Sequence, residues 1–232
     1  MKVAIAIVAK EPVQEWINFL SQIEGDFHTF LFSDMPTTIT DEKTHIIHYT
    51  DERVARNWFT CLSHFKPISA WDKALYHFCK VETDFDHVWF LEDDVLIPHA
   101  KTLQYLQAKY PTGDLLIRSC LSFEQNTQWQ HWHRAIPRYA RYQSMACVCR
   151  TSKKLLREIT NLANERRRLF FLELLFTSVA AEHKMHVLTI PELQHIIWKY
   201  EWKQEDIQPD KLYHPVKNFQ QQQDFRKNIH TQ

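Results

Sequence analysis

The amino-acid sequence predicts an α/β fold with a mostly parallel central sheet and helices on both faces. Short apolar runs rich in β-branched residues alternate with segments whose apolar residues recur at helical spacing. This alternation is typical of parallel sheets, because the crossover between two parallel strands usually carries a helix. The 232 residues are enough to bury one sizeable core, and no internal repeat or linker divides them.

The predicted elements follow one another closely. "KVAIAIVA" and "HTFLFSD" are strand-like, and "VQEWINFLSQI" between them repeats its apolar residues at helical spacing. "THIIHYT" predicts a third strand and "HVWFLED" a fourth, with helices at residues 52–65 and 69–81 between them. "DLLIRSC", "SMACVCR" and "MHVLTI" predict the remaining strands, and further helices are predicted at residues 100–110, 152–165 and 170–184. The polar, aromatic stretch 122–143 has no clear period and predicts a long functional loop.

The composition excludes several classes of protein. Lys and Arg number 28, and so do Asp and Glu, so the chain lacks the basic excess expected of a nucleic-acid-binding protein. No apolar run approaches the roughly 20 residues of a membrane span, and the apolar start is too short for a signal peptide. The five cysteines are odd in number and form no C-x-x-C pair, so they indicate neither a disulfide framework nor a zinc site and favour a reduced, cytoplasmic protein. Cys147 and Cys149 are two apart on a predicted strand, so both are expected to point to one face.

The stretch "HVWFLEDDVLIP" contains the clearest functional signal. Its apolar first half predicts a buried strand, which ends in Glu92, Asp93 and Asp94. Three consecutive carboxylates are costly to desolvate, so a positive partner is expected among them, although a solvated loop is the alternative. Carboxylates suit hard cations such as Mg²⁺ or Mn²⁺, and ligands collect at the carboxyl ends of strands in open α/β sheets. With only two glycines the chain has no glycine-rich phosphate loop, so a metal or basic side chains must hold any phosphate.

A βαβ half followed by an apolar strand with a D-x-D-like acid cluster resembles the GT-A fold of nucleotide-sugar glycosyltransferases. In that family the acids hold a divalent cation that bridges the two phosphates of the donor. This chain has E-D-D instead, so the spaced pair is Glu92 and Asp94, and Asp94 is the expected direct ligand. The resemblance implies a single domain over residues 1–217 and a polar, frayed or peripheral C-terminal tail at 218–232. Within the domain, residues 1–98 form the nucleotide-sugar-binding half and residues 99–217 the acceptor-binding half.

The resemblance also implies which residues bind the donor. The end of the first strand, with Val8, Ala9 and Lys10, and an acid after the second strand, Asp34, are expected at the base and ribose. The basic start of a helix, with Arg53, Arg56 and Asn57, is expected at the phosphates. The helix just before the acid motif, with Asp72 and Lys73, is expected at the sugar or pyrophosphate. Glu92 is expected to act through water or the donor ribose, and for Asp93 both this role and direct metal binding stay open. For each of the nine residues from Val8 to Lys73 in this set, an ordinary surface position is the alternative.

In "LYHPVK", His214 lies three residues before Lys217. Several metal-dependent members of the family use a C-terminal histidine as a third metal ligand, with a nearby lysine on the diphosphate. The resemblance therefore implies that His214 joins Glu92 and Asp94 on Mn²⁺ or Mg²⁺, and that Lys217 contacts the diphosphate. The chemistry is consistent, since imidazole binds Mn²⁺ and an ammonium group offsets charge on a leaving diphosphate.

The general base implied by the resemblance is Glu173. Inverting members carry the base in an E-D-x-E-L motif, and here Phe170 and Phe171 occupy the E-D positions. Because of this departure, a retaining enzyme without such a base stays open. A carboxylate in so apolar a segment is expected to have a raised pKa unless it is paired, and a buried pair with Arg150 is the alternative.

The aromatic loop is expected to bind the acceptor, a glycan or another hydroxyl compound, through Trp129, Trp132 and His133. A hydrophobic lid or a dimer contact is the alternative. Together these observations predict a metal-dependent glycosyltransferase that uses a UDP- or GDP-sugar. Two other functions stay open: a sugar-phosphate nucleotidyltransferase, whose usual G-x-G-x-R loop is absent, and a non-catalytic carbohydrate-binding domain of the same fold.

Overall fold

The computed structural model describes residues 1–61, 68–135, 139 and 141–229. In chain order the strands are β1 (Val3–Ala9), β2 (Phe27–Ser33), β3 (Thr44–Ile47), β4 (His87–Glu92), β5 (Leu115–Ile117), β6 (Leu121–Ser122), β7 (Tyr142–Gln143), β8 (Val148–Ser152) and β9 (Val187–Thr189). The helices are α1 (Gln14–Leu20), α2 (Asp51–Arg56), α3 (Ala70–Tyr76), α4 (Thr102–Lys109), α5 (Lys153–Arg166), α6 (Leu172–Glu182) and α7 (Phe219–Ile229). Across the described residues, no helix has the length and apolar character that a membrane crossing requires.

The central sheet has the strand order β3-β2-β1-β4-β8-β5-β9. Among its described strands only β8 runs antiparallel to its neighbours, which confirms the predicted mostly parallel sheet. Successive side chains of β1 enter opposite apolar layers. Ala4 and Ala6 pack in the layer of α3, α5 and α6, whereas Ile5 and Ile7 pack in the layer of α1 and α4. Helices therefore cover both faces of the sheet, as the alternating pattern predicts.

α2 is much shorter than the helix predicted at residues 52–65. It ends after Arg56 because Trp58 adopts a left-handed conformation, with φ of 69°. The amide of Phe59 then bonds back to the Val54 carbonyl at 3.3 Å, which is the hydrogen bond of a Schellman helix end. Residues 62–65 of the predicted helix lie outside the described residues.

The C-terminal tail forms α7 rather than a frayed end, because two of its polar side chains have partners in the core. Arg226 donates through Nε to the Ile97 carbonyl at 2.9 Å, and its guanidinium lies 3.8 Å from the ring centroid of Phe19. Gln222 Nε2 donates to the Asp93 carbonyl at 3.0 Å. α7 therefore holds the backbone of the acid cluster through the hydrogen bond from Gln222 to Asp93.

His77 is a buried histidine in a π-helical turn that follows α3. Its Nδ1 lies 2.8 Å from the hydroxyl of Tyr49, and its ring packs against those of Phe30 and Phe78. Burial lowers the pKa of His77 to about 4, and burial also lowers the pKa of His87 to about 4. Both side chains are thus neutral in the folded protein at neutral pH.

These buried histidines predict acid-labile folding. In the unfolded chain a histidine has a pKa of about 6.5, so below that pH the unfolded state binds more protons than the folded state. The free energy of unfolding is expected to fall by roughly 1 to 3 kcal/mol per buried histidine as the pH drops from about 7 to about 4. Denaturant titrations at several pH values measure this dependence. His77→Phe should weaken it, while His186→Gln, which changes an exposed histidine, should leave it unchanged; an equal slope in all three proteins would contradict the assignment.

Candidate active site and metal centre

β4 brings the acid cluster to the end of the sheet at which the parallel strands β1 and β2 also have their carboxyl termini. It is paired with β1 on one side and β8 on the other, and it is fully buried up to Leu91. Beyond the strand, the Asp93 amide donates to the Val8 carbonyl at 3.1 Å. The acid cluster therefore occupies the position at which open α/β sheets bind ligands.

Two cavities meet at the acid cluster. The smaller one, of about 190 Å³, lies at the ends of β1 and β2, and the larger one, of about 720 Å³, lies toward α6 and His214. Four residues line both cavities and so form the wall between them: Ser69, Trp71, Glu92 and Asp94. A ligand that spans the two cavities would pass directly over the two carboxylates.

The two carboxylate oxygens of Glu92 have different partners. The indole Nε1 of Trp71 donates to Oε1 at 2.9 Å, and Oε2 lies 3.7 Å from Nε2 of His214. Burial, and next the charge of Asp94, raise the pKa of Glu92. Trp71 thus fixes the orientation of this carboxylate, and its second oxygen remains directed at the imidazole.

Asp93 lines only the smaller cavity. Burial, followed by the charges of Asp94 and Glu92, raises its pKa to about 6. Its carbonyl accepts hydrogen bonds from Nε1 of Trp16 at 3.2 Å and from Gln222 at 3.0 Å. The backbone of the cluster is therefore held by side chains of α1 and α7 together.

His214 reaches the acid cluster because short β-bridges tie its segment to two others. Tyr213 forms an antiparallel bridge with Leu96, and His214 forms a parallel bridge with Ile196. Leu96 follows the acid cluster by two residues. The bridges therefore bring a histidine that lies 120 residues after Asp94 in the sequence back to its side.

The imidazole of His214 is oriented through Nδ1, which donates to the Ile197 carbonyl at 2.7 Å. In the neutral ring that tautomer leaves a lone pair on Nε2, which lies 3.2 Å from Oδ1 of Asp94. Burial alone would lower the pKa of His214, but Asp94 and Glu92 hold it above its ordinary value. Metal-ligating histidines commonly have this arrangement, with the second nitrogen bonded to a carbonyl.

The residues of the cluster fit a divalent cation. Oδ1 of Asp94 is buried and makes no hydrogen bond of good geometry, although Nε2 of His214 is close. A buried carboxylate oxygen in that state favours a positive partner. Within the described residues one group of possible ligands was found, in which atoms of Glu92, Cys147 and His214 lie within 4.8 Å of one another. Carboxylates with one imidazole suit Mn²⁺ or Mg²⁺.

Cys147 is a member of this cluster that the sequence does not indicate. The expectation that Cys147 and Cys149 share a face is wrong, since Cys149 packs in the layer of α3 and α5 and Cys147 packs against the opposite layer. The reason is that Cys147 lies in a bend before β8, where strand alternation does not hold. Its carbonyl accepts the Glu92 amide at 3.0 Å, so the β4–β8 pairing brings its thiol to the acids.

Glu173 lies in the first turn of α6 and lines the larger cavity. Burial, with a smaller contribution from the charge of Glu92, raises its pKa to about 7. Arg150, the alternative partner, donates instead to the carbonyls of Tyr110 and Thr112. Glu173 can therefore exchange a proton with a ligand in the cavity near neutral pH.

The residues predicted at the base and ribose come together in the smaller cavity. Val8, Ala9, Lys10 and Asp34 all line it, together with the acid cluster. The amide of Asp34 donates to the Ala9 carbonyl at 3.1 Å, which extends the β1–β2 ladder into the cavity wall. The ends of two neighbouring parallel strands thus form this wall.

Asp72 and Lys73 are fully buried and support the framework, which corrects the prediction that they face a ligand. Asp72 is the third residue of α3, and its carboxylate accepts hydrogen bonds from the amides of Cys61 and Ser69. Lys73 Nζ donates to the carbonyl of Asp34 at 3.1 Å. The carboxylate is thus used to cap α3, and the ammonium group holds the end of β2.

Arg53, Arg56 and Asn57 line neither cavity, so the structure does not bring these residues, predicted at the donor phosphates, to the wall of either one. Arg53 donates through Nε to the hydroxyl of Tyr76 at 3.2 Å and lies 4.6 Å from the ring centroid of Tyr49. Asn57 donates to the carbonyl of Arg53 at 2.8 Å. Arg53 thus contacts aromatic side chains of the framework, and Asn57 bonds to the backbone of its own helix.

The aromatic loop reaches the larger cavity, but through other residues than those predicted. Gln130 and His131 line the cavity, whereas Trp129, Trp132 and His133 do not. Trp132 is only 8% exposed, and Trp129 packs edge-on against it with ring centroids 5.0 Å apart. The tryptophans thus stabilise the loop, and His133 is exposed outside the cavity.

The larger cavity also contains the predicted Lys217 and two residues that the sequence does not single out, Trp198 and Lys199. The side chain of Trp198 is 74% exposed. An indole so exposed beside a cavity offers an apolar face on which a sugar ring can stack. The segment has no periodicity or motif that would have marked Trp198 in advance.

No profile of a known protein family matches the chain, and no curated protein matches its sequence. Several solved structures resemble its fold. The galactosyltransferase LgtC, in complex with donor and acceptor sugar analogues, is 12% identical with a TM-score of 0.46, over 80% of this chain and 72% of that chain. Mouse xyloside xylosyltransferase 1 in its apo form is 10% identical with a TM-score of 0.43, over 82% and 84% of the two chains. The bifunctional glycosyltransferase WbbM is 10% identical with a TM-score of 0.45, over 82% of this chain and 38% of that chain. At these identities the similarity is one of fold alone, and it assigns no role to any residue of this chain.

Proposed function

We propose that the chain is a metal-dependent glycosyltransferase that moves a hexosyl or pentosyl group from a UDP- or GDP-sugar to a hydroxyl group of a glycan or small acceptor. The observation that carries the proposal is the cluster of Glu92, Asp94 and His214, whose two carboxylates lie on the wall between two cavities. A diphosphate bridged by a cation at that wall would place the nucleoside on one side and the sugar on the other.

In this proposal the smaller cavity takes the nucleoside. Asp34 accepts hydrogen bonds from ribose or base hydroxyl and amide groups, and the ends of β1 and β2 enclose them. A Mn²⁺ or Mg²⁺ ion held by Asp94, Glu92 and His214 would neutralise charge on the diphosphate as it leaves. Lys217 lies on the cavity wall where its ammonium group adds positive charge. In this proposal residues 1–98 form the donor half and residues 99–217 the acceptor half, and His214 and Lys217 extend from the acceptor half to the donor phosphates.

The larger cavity takes the sugar and the acceptor, with Glu173 as general base in an inverting reaction. The acceptor O–H bond breaks as its proton passes to the Glu173 carboxylate. The acceptor oxygen bonds to the anomeric carbon, while the electron pair of the old C–O bond leaves with the diphosphate. A pKa of about 7 suits this role, because a base is most effective when its pKa lies near the working pH. All five cysteines are free thiols, which supports a reducing compartment such as the cytoplasm.

A panel of UDP- and GDP-sugars, assayed with Mn²⁺ or Mg²⁺ for release of the nucleoside diphosphate and for transfer, tests the proposal. We expect one donor to be turned over only when the metal is present. Glu173→Gln should retain donor binding and lower transfer by about 100-fold or more, because it removes the proton acceptor. The matched control is Glu165→Gln, an exposed acid on α5. If no donor binds or reacts with either metal, the proposed function is wrong.

A non-catalytic carbohydrate- or nucleotide-sugar-binding domain is a second candidate. One observation favours it, namely that Phe171 lines the larger cavity at a position where the inverting GT-A glycosyltransferases that the sequence resembles carry an acid. An apolar ring there can pack on a sugar but cannot move a proton. Metal-dependent donor binding without any turnover, in both the wild type and Glu173→Gln, would support this candidate over the enzyme.

A further inference from the structure

The group of possible metal ligands at the acid cluster includes the sulfur atom of Cys147, which the acidic motif alone would not require. The Cys147 thiol lies with ligand atoms of Glu92 and His214 in a group whose members are all within 4.8 Å of one another. It also lines the larger cavity, on the side of the acid cluster. The amide of Glu92 bonds to the Cys147 carbonyl at 3.0 Å, so this proximity is fixed by the pairing of the two chain segments.

The spacing of these atoms is close to that of a tetrahedral centre. Bonds of about 2.1 Å to nitrogen or oxygen and about 2.3 Å to sulfur place tetrahedral ligand atoms roughly 3.5 Å apart. Oδ1 of Asp94 already lies 3.2 Å from Nε2 of His214, and Oε2 of Glu92 lies 3.7 Å from it. These two distances are close to that spacing, and the Cys147 sulfur lies within 4.8 Å of the Glu92 and His214 ligand atoms.

Two further observations point to an ion rather than to simple packing. Nε2 of His214 is directed at the acids because Nδ1 is fixed on the Ile197 carbonyl. Oδ1 of Asp94 is buried without a hydrogen bond of good geometry. The Cys147 thiol lies beside Glu92 and His214, so it would be a third neighbour of an ion held by these two residues.

We propose that Cys147 is a metal ligand, and that the centre therefore binds thiophilic cations such as Zn²⁺ and Co²⁺ more tightly than Mn²⁺ or Mg²⁺. On binding, the S–H bond of Cys147 is replaced by an S–metal bond, and the proton passes to solvent. The ligand set is one thiolate, one imidazole and the carboxylates of Glu92 and Asp94, which is a set that tetrahedral Zn²⁺ accepts. The inference rests on the metal centre of the proposed function, and it names the class of cation that the centre prefers.

Cobalt titration of the full chain tests the ligand directly. Co²⁺ bound by a thiolate gives a near-ultraviolet charge-transfer absorption, which appears whether or not the protein turns over a sugar. We expect this band in the wild type and in Cys120→Ser, a control cysteine that lines neither cavity. We expect no band in Cys147→Ser or in Cys147→Ala. Competition titrations should show that Cys147→Ser lowers Zn²⁺ affinity about 10- to 100-fold and changes Mn²⁺ affinity by less than about threefold.

The outcomes separate this inference from the proposed function. Co²⁺ binding by the wild type without the charge-transfer band overturns the role of Cys147 and leaves the metal-dependent function standing. A band that persists in Cys147→Ser has the same meaning. If the wild type binds neither Co²⁺ nor Mn²⁺, both the inference and the metal-dependent function are wrong. The wild-type spectrum alone can overturn the inference, and the spectra of Cys147→Ser, Cys147→Ala and Cys120→Ser assign any band to one of the five cysteines.

Discussion

In the proposed glycosyltransferase reaction, replacing Asp94 by asparagine is expected to lower metal-dependent turnover of the donor by about 100-fold or more. Oδ1 of Asp94 is buried 3.2 Å from Nε2 of His214, at the point where the two cavities meet. Asparagine keeps the shape of the side chain but removes the negative charge, so the cation is held less tightly and less charge is neutralised on the leaving diphosphate. Release of nucleoside diphosphate, measured against Mn²⁺ concentration, gives both the metal affinity and the maximal rate.

Asp224→Asn is the control for this substitution, since Asp224 is an exposed acid on α7. It should behave as the wild type in both quantities. His214→Gln should share the loss seen in Asp94→Asn, because His214 is the only imidazole in the ligand group found among the described residues. If Asp94→Asn keeps the wild-type Mn²⁺ dependence and rate, Asp94 does not hold the cation and the proposed geometry is wrong.

The parts of the fold that sequence reasoning could predict are those set by local pattern. β1 and β4 are short runs rich in apolar residues that are buried along almost their whole length, and such runs are typical of the central strands of a parallel sheet. The early end of α2 was not predictable in this way. It depends on the left-handed conformation of Trp58, which a residue with a side chain rarely adopts and which nothing in its neighbours indicates.

The same distinction, between features set by local sequence pattern and features set by distant contacts, applies to the residues of the candidate site. Glu92 and Asp94 could be located because a buried strand leads directly to them, and the structure places His214, which the family resemblance indicated, at their side. Cys147 and Trp198 could not be found, since each reaches the site only through pairing of distant segments. For Lys73 the sequence pattern was misleading. A charged residue on a helix before an acid motif is expected to face a ligand, but the ammonium group of Lys73 bonds to the backbone carbonyl of Asp34.

Arg150→Ala is expected to lower the free energy of unfolding by about 3 to 5 kcal/mol. Arg150 is fully buried in β8, and burial lowers its pKa to about 10. Its guanidinium donates to the side chain of Gln107 and to the carbonyls of Tyr110, Thr112 and Gly113. Because alanine would leave these oxygens buried without their donor, the connection between α4 and β5 would lose the hydrogen bonds that hold it to the sheet.

Denaturant titration at neutral pH measures this effect, and three further variants identify its cause. Arg157→Ala removes an exposed arginine on α5 and should change the free energy by less than about 0.5 kcal/mol. Arg150→Lys keeps the charge but lacks the planar set of donors, so we expect an intermediate loss. Arg150→Met keeps most of the volume without any donor, and it should be nearly as unstable as Arg150→Ala if unmet hydrogen bonds dominate. A methionine variant as stable as the wild type would mean instead that the arginine only fills space between β8 and α4.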